Sequence, residues 1–189
     1  MGPSCVPASA TLPDVPSSGS WFSGDEPRTA DESRFLAALR AHGDTWRSAG
    51  VQPPSTTVLT VLVPLHVQVD LPGLPADCVN LQVAYWTSGP RGTGVEGQWG
   101  DRYLLDGSST GGMDVFGEPA EPEELAGLAV RWLAHALASP VERADWVGSD
   151  GEVVASRWRL LETGAVIGGR GSSPRLLRRR PADRVERVR

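Results

Sequence analysis

The chain has 189 residues, 40% of them apolar, and a net charge of −5, which suggests one domain with tails and enough apolar side chains to bury a core. All 18 basic residues are arginine; without lysine the chain is not a P-loop NTPase of the usual type, a protein kinase, a pyridoxal-phosphate or Schiff-base enzyme, or a Ser–Lys hydrolase, because each uses a lysine amine. No apolar run approaches the roughly 18 residues that cross a bilayer, and charge is uneven: residues 170–189 hold eight Arg against Asp183 and Glu186, a net of +6, which leaves −11 on the remainder.

Residues 1–28 are rich in Pro, Ser and Gly without a period and read as a disordered tail. The opening Met1-Gly-Pro-Ser-Cys-Val-Pro lacks the basic and apolar regions of a secretory signal. It also places Val6 where the myristoylation pattern wants Ser or Thr. A cytoplasmic setting is therefore expected, in which Cys5 and Cys78 stay reduced and unpaired. Trp21-Phe22 is the exception in the tail, a candidate to dock onto the body.

A single α+β domain is expected over 29–169. A helix is predicted from Ala30 to Ser48: Thr29 and Glu32 fit a capping box, Phe35, Leu39, His42 and Trp46 share a face, and Gly50 is a natural stop. Residues 56–71 alternate as a half-buried strand with His66, Gln68 and Asp70 on the polar parity, and Pro64 marks a bend or a sheet edge. Val79 to Tyr85 alternates in the same way, with one wet face. Ser88 to Gly97 turns the chain, Gln98 to Leu105 returns antiparallel, and a short strand follows at Met113–Phe116. Pro122 to Ala138 is the strongest helix, with Leu125, Leu128, Ala129, Trp132, Leu133 and Ala136 on one stripe and Ser139-Pro140 as its stop. Val141 to Val147, Val153 to Leu161 and Ala165 to Ile167 form a meander across Asp-Gly and Thr-Gly turns. The order predicts a largely antiparallel sheet of about 5–7 strands with two main helices packed on one face. Residues 170–189 are a basic, Arg-rich C-terminal tail.

Several motifs match a pattern but lack its context. Gly92-Thr-Gly94-Val-Glu-Gly97 matches the dinucleotide fingerprint, yet no helix opens after it to face a pyrophosphate, so a hairpin loop is expected. Gly107-Ser-Ser109-Thr-Gly111 matches the nucleophile elbow and also lacks its helix. His42, His66 and His135 stand at no metal-ligand spacing, and neither a metal nor a cofactor is predicted. Of the histidines, His66 is the one to test for chemistry, and Asp101, Asp106 and Asp114 lie in loops that would have to converge on it. Among seven tryptophans, Trp86 and Trp99 flank the Gly-rich loop. With Arg91 and Arg102 they form the candidate partner-binding set. Arg175, Arg178, Arg179 and Arg180 are candidates to contact nucleic acid or an acidic partner, although the acidic body opposes a polyanion and offers the tail a place to fold back.

The stretches Glu121-Pro-Glu-Glu-Leu-Ala-Gly-Leu-Ala-Val-Arg-Trp-Leu, Ser139-Pro-Val-Glu-Arg-Ala-Asp-Trp146 and Arg157-Trp-Arg-Leu-Leu-Glu-Thr-Gly164 resemble a family of small uncharacterised cytoplasmic proteins of GC-rich actinobacteria. The resemblance implies a bacterial cytoplasmic setting and carries over no functional residue. The residues themselves point first to a non-enzymatic protein-interaction module, accessory, immunity-like or regulatory, with a protein partner. The alternatives are a small hydrolase-type enzyme using the loop Asp and His residues, and a nucleic-acid-associated protein acting through the Arg tail.

Overall fold

The computed structural model describes residues 19–60, 64–100, 112–117, 119–171 and 180–189. The first helix, α1, spans Ala30–Ala41 and opens with the predicted capping box. The Thr29 hydroxyl accepts from the Glu32 N–H at 3.0 Å, and the Glu32 carboxylate accepts from the Thr29 N–H at 3.3 Å. The helix ends earlier than the pattern predicts and tightens into a 3₁₀ segment over Gly43–Ala49. At Gly43 an added Cβ would lie 2.4 Å from the Trp21 ring. The tail pair Trp21-Phe22 is thus packed onto the body, with both rings edge-on to Trp46. Its continuation, β1 (Ser23–Gly24), pairs parallel with β2 (Thr56–Leu59).

The alternation over 56–71 resolves into two antiparallel strands, β2 and β3 (Leu65–Asp70). Pro64 precedes β3, and β3 lies between two partners, so a residue without an N–H falls at the bend and not in the ladder. Next come β4 (Asn80–Trp86), β5 (Gly94–Gly100) and β6 (Met113–Phe116), which complete a six-stranded sheet in sequence order, antiparallel from β2 onward. The residues of the expected return strand beyond Gly100 lie outside the described set. The helix α2 occupies Pro122–Ala138 as predicted. The remaining strands form a second, four-stranded antiparallel sheet in the order β10-β7-β8-β9, from β7 (Val141–Val147), β8 (Val153–Leu160), β9 (Val166–Gly171) and β10 (Arg184–Arg187).

The architecture is therefore α+β with both main helices on one face of the larger sheet. From α1, Phe35 stacks on Tyr85 of β4 at 4.4 Å. From α2, Trp132 lies over Gly97 of β5, where a Cβ would come 2.8 Å from the ring. Leu125, Ala129, Leu133 and Ala136 of the predicted stripe are buried with Leu81, Val83 and Val95. The second sheet joins the same core through Val141, Trp158, Leu160 and Ile167.

Part of the Arg-rich segment is folded against this body. β10 pairs with β7, the Asp183 carboxylate accepts from the Val147 N–H at 2.8 Å, and the Trp146 indole donates to the Arg180 carbonyl at 3.1 Å. The Arg189 guanidinium donates to the Leu137 carbonyl at the end of α2, where a cation complements the helix dipole. Among the described residues no helix is long and apolar enough to cross a membrane.

Gly97 gives a direct check on this packing. Gly97→Ala places a methyl group against a large ring held by the helix, and should destabilise the fold by about 1–3 kcal/mol in urea unfolding. Unchanged stability would mean that Trp132 does not rest on β5.

Candidate functional site

In β4, alternate side chains go to opposite faces of the sheet. Leu81, Val83 and Tyr85 face the helices, while Asn80, Gln82, Ala84 and Trp86 face away. The sequence suggests a wet face there, but Asn80 is 2% exposed, Gln82 1% and Gln98 3%. Burying an amide is costly unless it is paired, and these pair with one another. The Gln98 amide donates to Gln82 at 3.4 Å, Gln82 donates to Asn80 at 3.1 Å, and Asn80 donates to the Ala76 carbonyl at 3.1 Å. Across the sheet, Gln68, Gln82 and Gln98 share one row of the ladder.

The adjacent row reads His66, Ala84, Glu96, Asp114. His66 is buried and desolvation holds its imidazole below the ordinary 6.5. Burial raises the Glu96 carboxyl, Asp114 adds to the rise, and Arg91 opposes it. The two groups lie two strands apart, roughly 10 Å at the usual strand spacing, with the fully buried Ala84 between them. This separation denies His66 and Glu96 the hydrogen bond that general acid–base work requires. Asp101 and Asp106 lie outside the described residues, and Asp114 forms an ion pair with Arg91. No group of three His, Cys, Asp or Glu side chains gathers at metal-binding range among the described residues.

The third row is Trp86, Gly94, Phe116. The two aromatic residues flank a position without a side chain, and the Phe116 ring lies over it, 2.4 Å from where a Gly94 Cβ would stand. Trp86 and Phe116 are half-buried. The Trp86 indole N–H lies close to Glu96 without completing a hydrogen bond. Arg91 stands on the loop between β4 and β5 and folds its guanidinium over Phe116, 3.7 Å from the ring centroid.

The fingerprint-like glycines thus have structural reasons. Gly92 adopts φ +85° in the turn, Gly94 lies under Phe116, and Gly97 under Trp132 on the opposite face. Glycine covered by an aromatic neighbour is a recurrent device in sheets.

The structure divides the candidate set. Trp86 and Arg91 come together at the row's end, joined by Phe116 and Glu96, which the sequence reading did not single out. Trp99 does not belong with them. It pairs with Leu81, so its parity is that of the helix face, and it is 4% exposed. Trp99 instead lines a cavity of about 70 Å³ with His135, Leu160 and Thr163. A shallower cleft of about 390 Å³ lies between the 3₁₀ segment and the end of α2, lined by Trp46, Leu137 and Arg189. Arg102, Arg175, Arg178 and Arg179 lie outside the described residues. Arg180 forms an ion pair with Asp183 at 2.8 Å.

The buried His66 makes stability depend on pH. The folded state disfavours a proton that the unfolded chain takes up below about pH 6.5, so stability should fall as pH drops through that range. In urea unfolding between pH 7.5 and 5.5, the wild type should lose about 1 kcal/mol more than His66→Gln. Equal losses would contradict the burial of this ring.

No protein-family model, curated protein or solved structure matches the chain.

Proposed function

We propose that the protein is a non-enzymatic interaction module, accessory or regulatory in kind, working in a bacterial cytoplasm. It engages a protein partner through the end of the six-stranded sheet that carries Trp86, Arg91 and Phe116. The supporting observation is the third row: two half-buried aromatic residues on one face with a guanidinium held over one of them. Trp is among the side chains that most often carry binding energy at protein interfaces, and aromatic anchors bind best when their conformation is set in advance. Here the sheet sets the spacing of the two rings. The rest of the far face supports this assignment, because its amides are paired with one another within the sheet.

Phe116, and not Trp99, stands with Trp86 on this face, and the basic segment is a lesser contributor, since Arg180 pairs with Asp183 and Arg189 with the end of α2.

Affinity capture from the native cytoplasm, followed by quantitative binding of the recovered partner, tests the reading. The double variant Trp86→Ala/Phe116→Ala should retain the fold and lose at least about tenfold in affinity, the scale expected for interface anchors. Equal affinity for wild type and variant would remove this surface from the hypothesis.

A further inference from the structure

Arg91 belongs to the loop, yet its charged end is held by the sheet. The turn that carries it is closed by the Gly92 N–H on the Gly89 carbonyl at 3.0 Å and by the Thr93 hydroxyl on the Thr87 carbonyl at 3.1 Å. From this turn the side chain reaches β6, where its guanidinium lies over Phe116 and pairs with Asp114. Its side chain remains 50% exposed and that of Asp114 59%.

The receptor side has more negative charge than its occupant neutralises. Glu96 and Asp114 are directly opposite each other on β5 and β6, a like-charge arrangement that is unfavourable without a cation. Arg91 pairs with Asp114 and leaves Glu96, beside Trp86, without an ion-pair partner among the described residues. An aromatic face next to carboxylates is the arrangement that recognises a planar cation, by stacking and by charge-assisted hydrogen bonds together.

We infer that Phe116, Trp86, Glu96 and Asp114 form a slot for the guanidinium of an arginine side chain on a partner protein, and that Arg91 occupies this slot in cis as an internal stand-in. The inference rests on the interaction reading above and names the chemistry of its central contact. Partner binding then exchanges one guanidinium for another, and the loop that carries Arg91 is what moves. Because the internal residue is tethered, it competes at an effective concentration in the millimolar range. Isolated arginine compounds should therefore bind the wild type poorly.

The test titrates the full chain with the peptide acetyl-Gly-Arg-Gly-amide, with the matching Gly-Lys-Gly peptide and with free L-arginine, following the Trp86 indole N–H by NMR. That resonance is assigned with Trp86→Phe. Removing the stand-in with Arg91→Ala, or with Arg91→Gln as an independent variant, should strengthen binding of the arginine peptide at least tenfold over the wild type. The lysine peptide should bind several-fold more weakly. Adding Glu96→Gln and Asp114→Asn to Arg91→Ala should return binding to the wild-type level or below. Overturning results are peptide binding no tighter in either Arg91 variant than in the wild type, and binding that survives loss of both carboxylates. Preference for free L-arginine over the peptide would overturn assignment to a protein partner. Partner capture that depends on Trp86 and Phe116 alongside a slot that ignores arginine would sink this inference alone. Arginine binding without Trp86-dependent capture would instead sink the interaction reading.

Discussion

A β-strand turns successive side chains to opposite faces, and in β4 both faces are buried. One parity meets the helices as Leu81, Val83 and Tyr85, and the other meets a layer of amides. A slip of one residue in the pairing would carry Gln82 into the apolar layer and Val83 into the polar one. Each amide left unpaired in the core would then cost roughly 1–3 kcal/mol. The register of the sheet is therefore specified from both sides, by apolar burial against α1 and α2 and by a hydrogen-bond chain that ends on the Ala76 carbonyl.

That register determines where a surface site can form. Along the far face the rows change from amides to charged groups and then to aromatics, toward the loop between β4 and β5. The small residues Ala84 and Gly94 keep the middle of the last two rows low. Trp86 and Phe116 then flank Gly94, with the carboxylates of Glu96 and Asp114 beside them. Arg91 is drawn over this end by one ion pair and one aromatic face. The helix stripe of α2 serves as scaffold on the other side, where Trp132 seals Gly97.

Local patterns in the sequence carry this structure unevenly. The stripe from Leu125 to Ala136 is legible because a helix sets its own periodicity, and the stop at Ser139-Pro140 needs no tertiary information. The capping box at Thr29 and Glu32 is legible for the same reason. Trp86 can be assigned to the far face from parity alone, since it continues the alternation of β4. Trp99 cannot, because its face follows from pairing with Leu81, and that pairing is set by the whole hairpin. The meeting of Glu96 with Asp114 and of Gly94 with Phe116 depends on a register across a connection whose length permits many pairings. Gln68, Gln82 and Gln98 each suggest solvent when taken singly, and only three aligned strands show them as one row. Gly43 hints that α1 weakens there, but the Trp21 ring packed against it arrives from a segment with no pattern of its own.

The far face is a packed polar layer, which leaves its end at Trp86 and Phe116 as the surface we propose for binding. Side-chain amide hydrogen exchange by NMR tests it most directly. The account predicts that the Gln82 and Gln98 amides exchange on the order of a hundredfold more slowly than that of Gln52, because they open only with the sheet. Exchange of Gln82 and Gln98 as fast as Gln52 would show a solvated face and contradict the account.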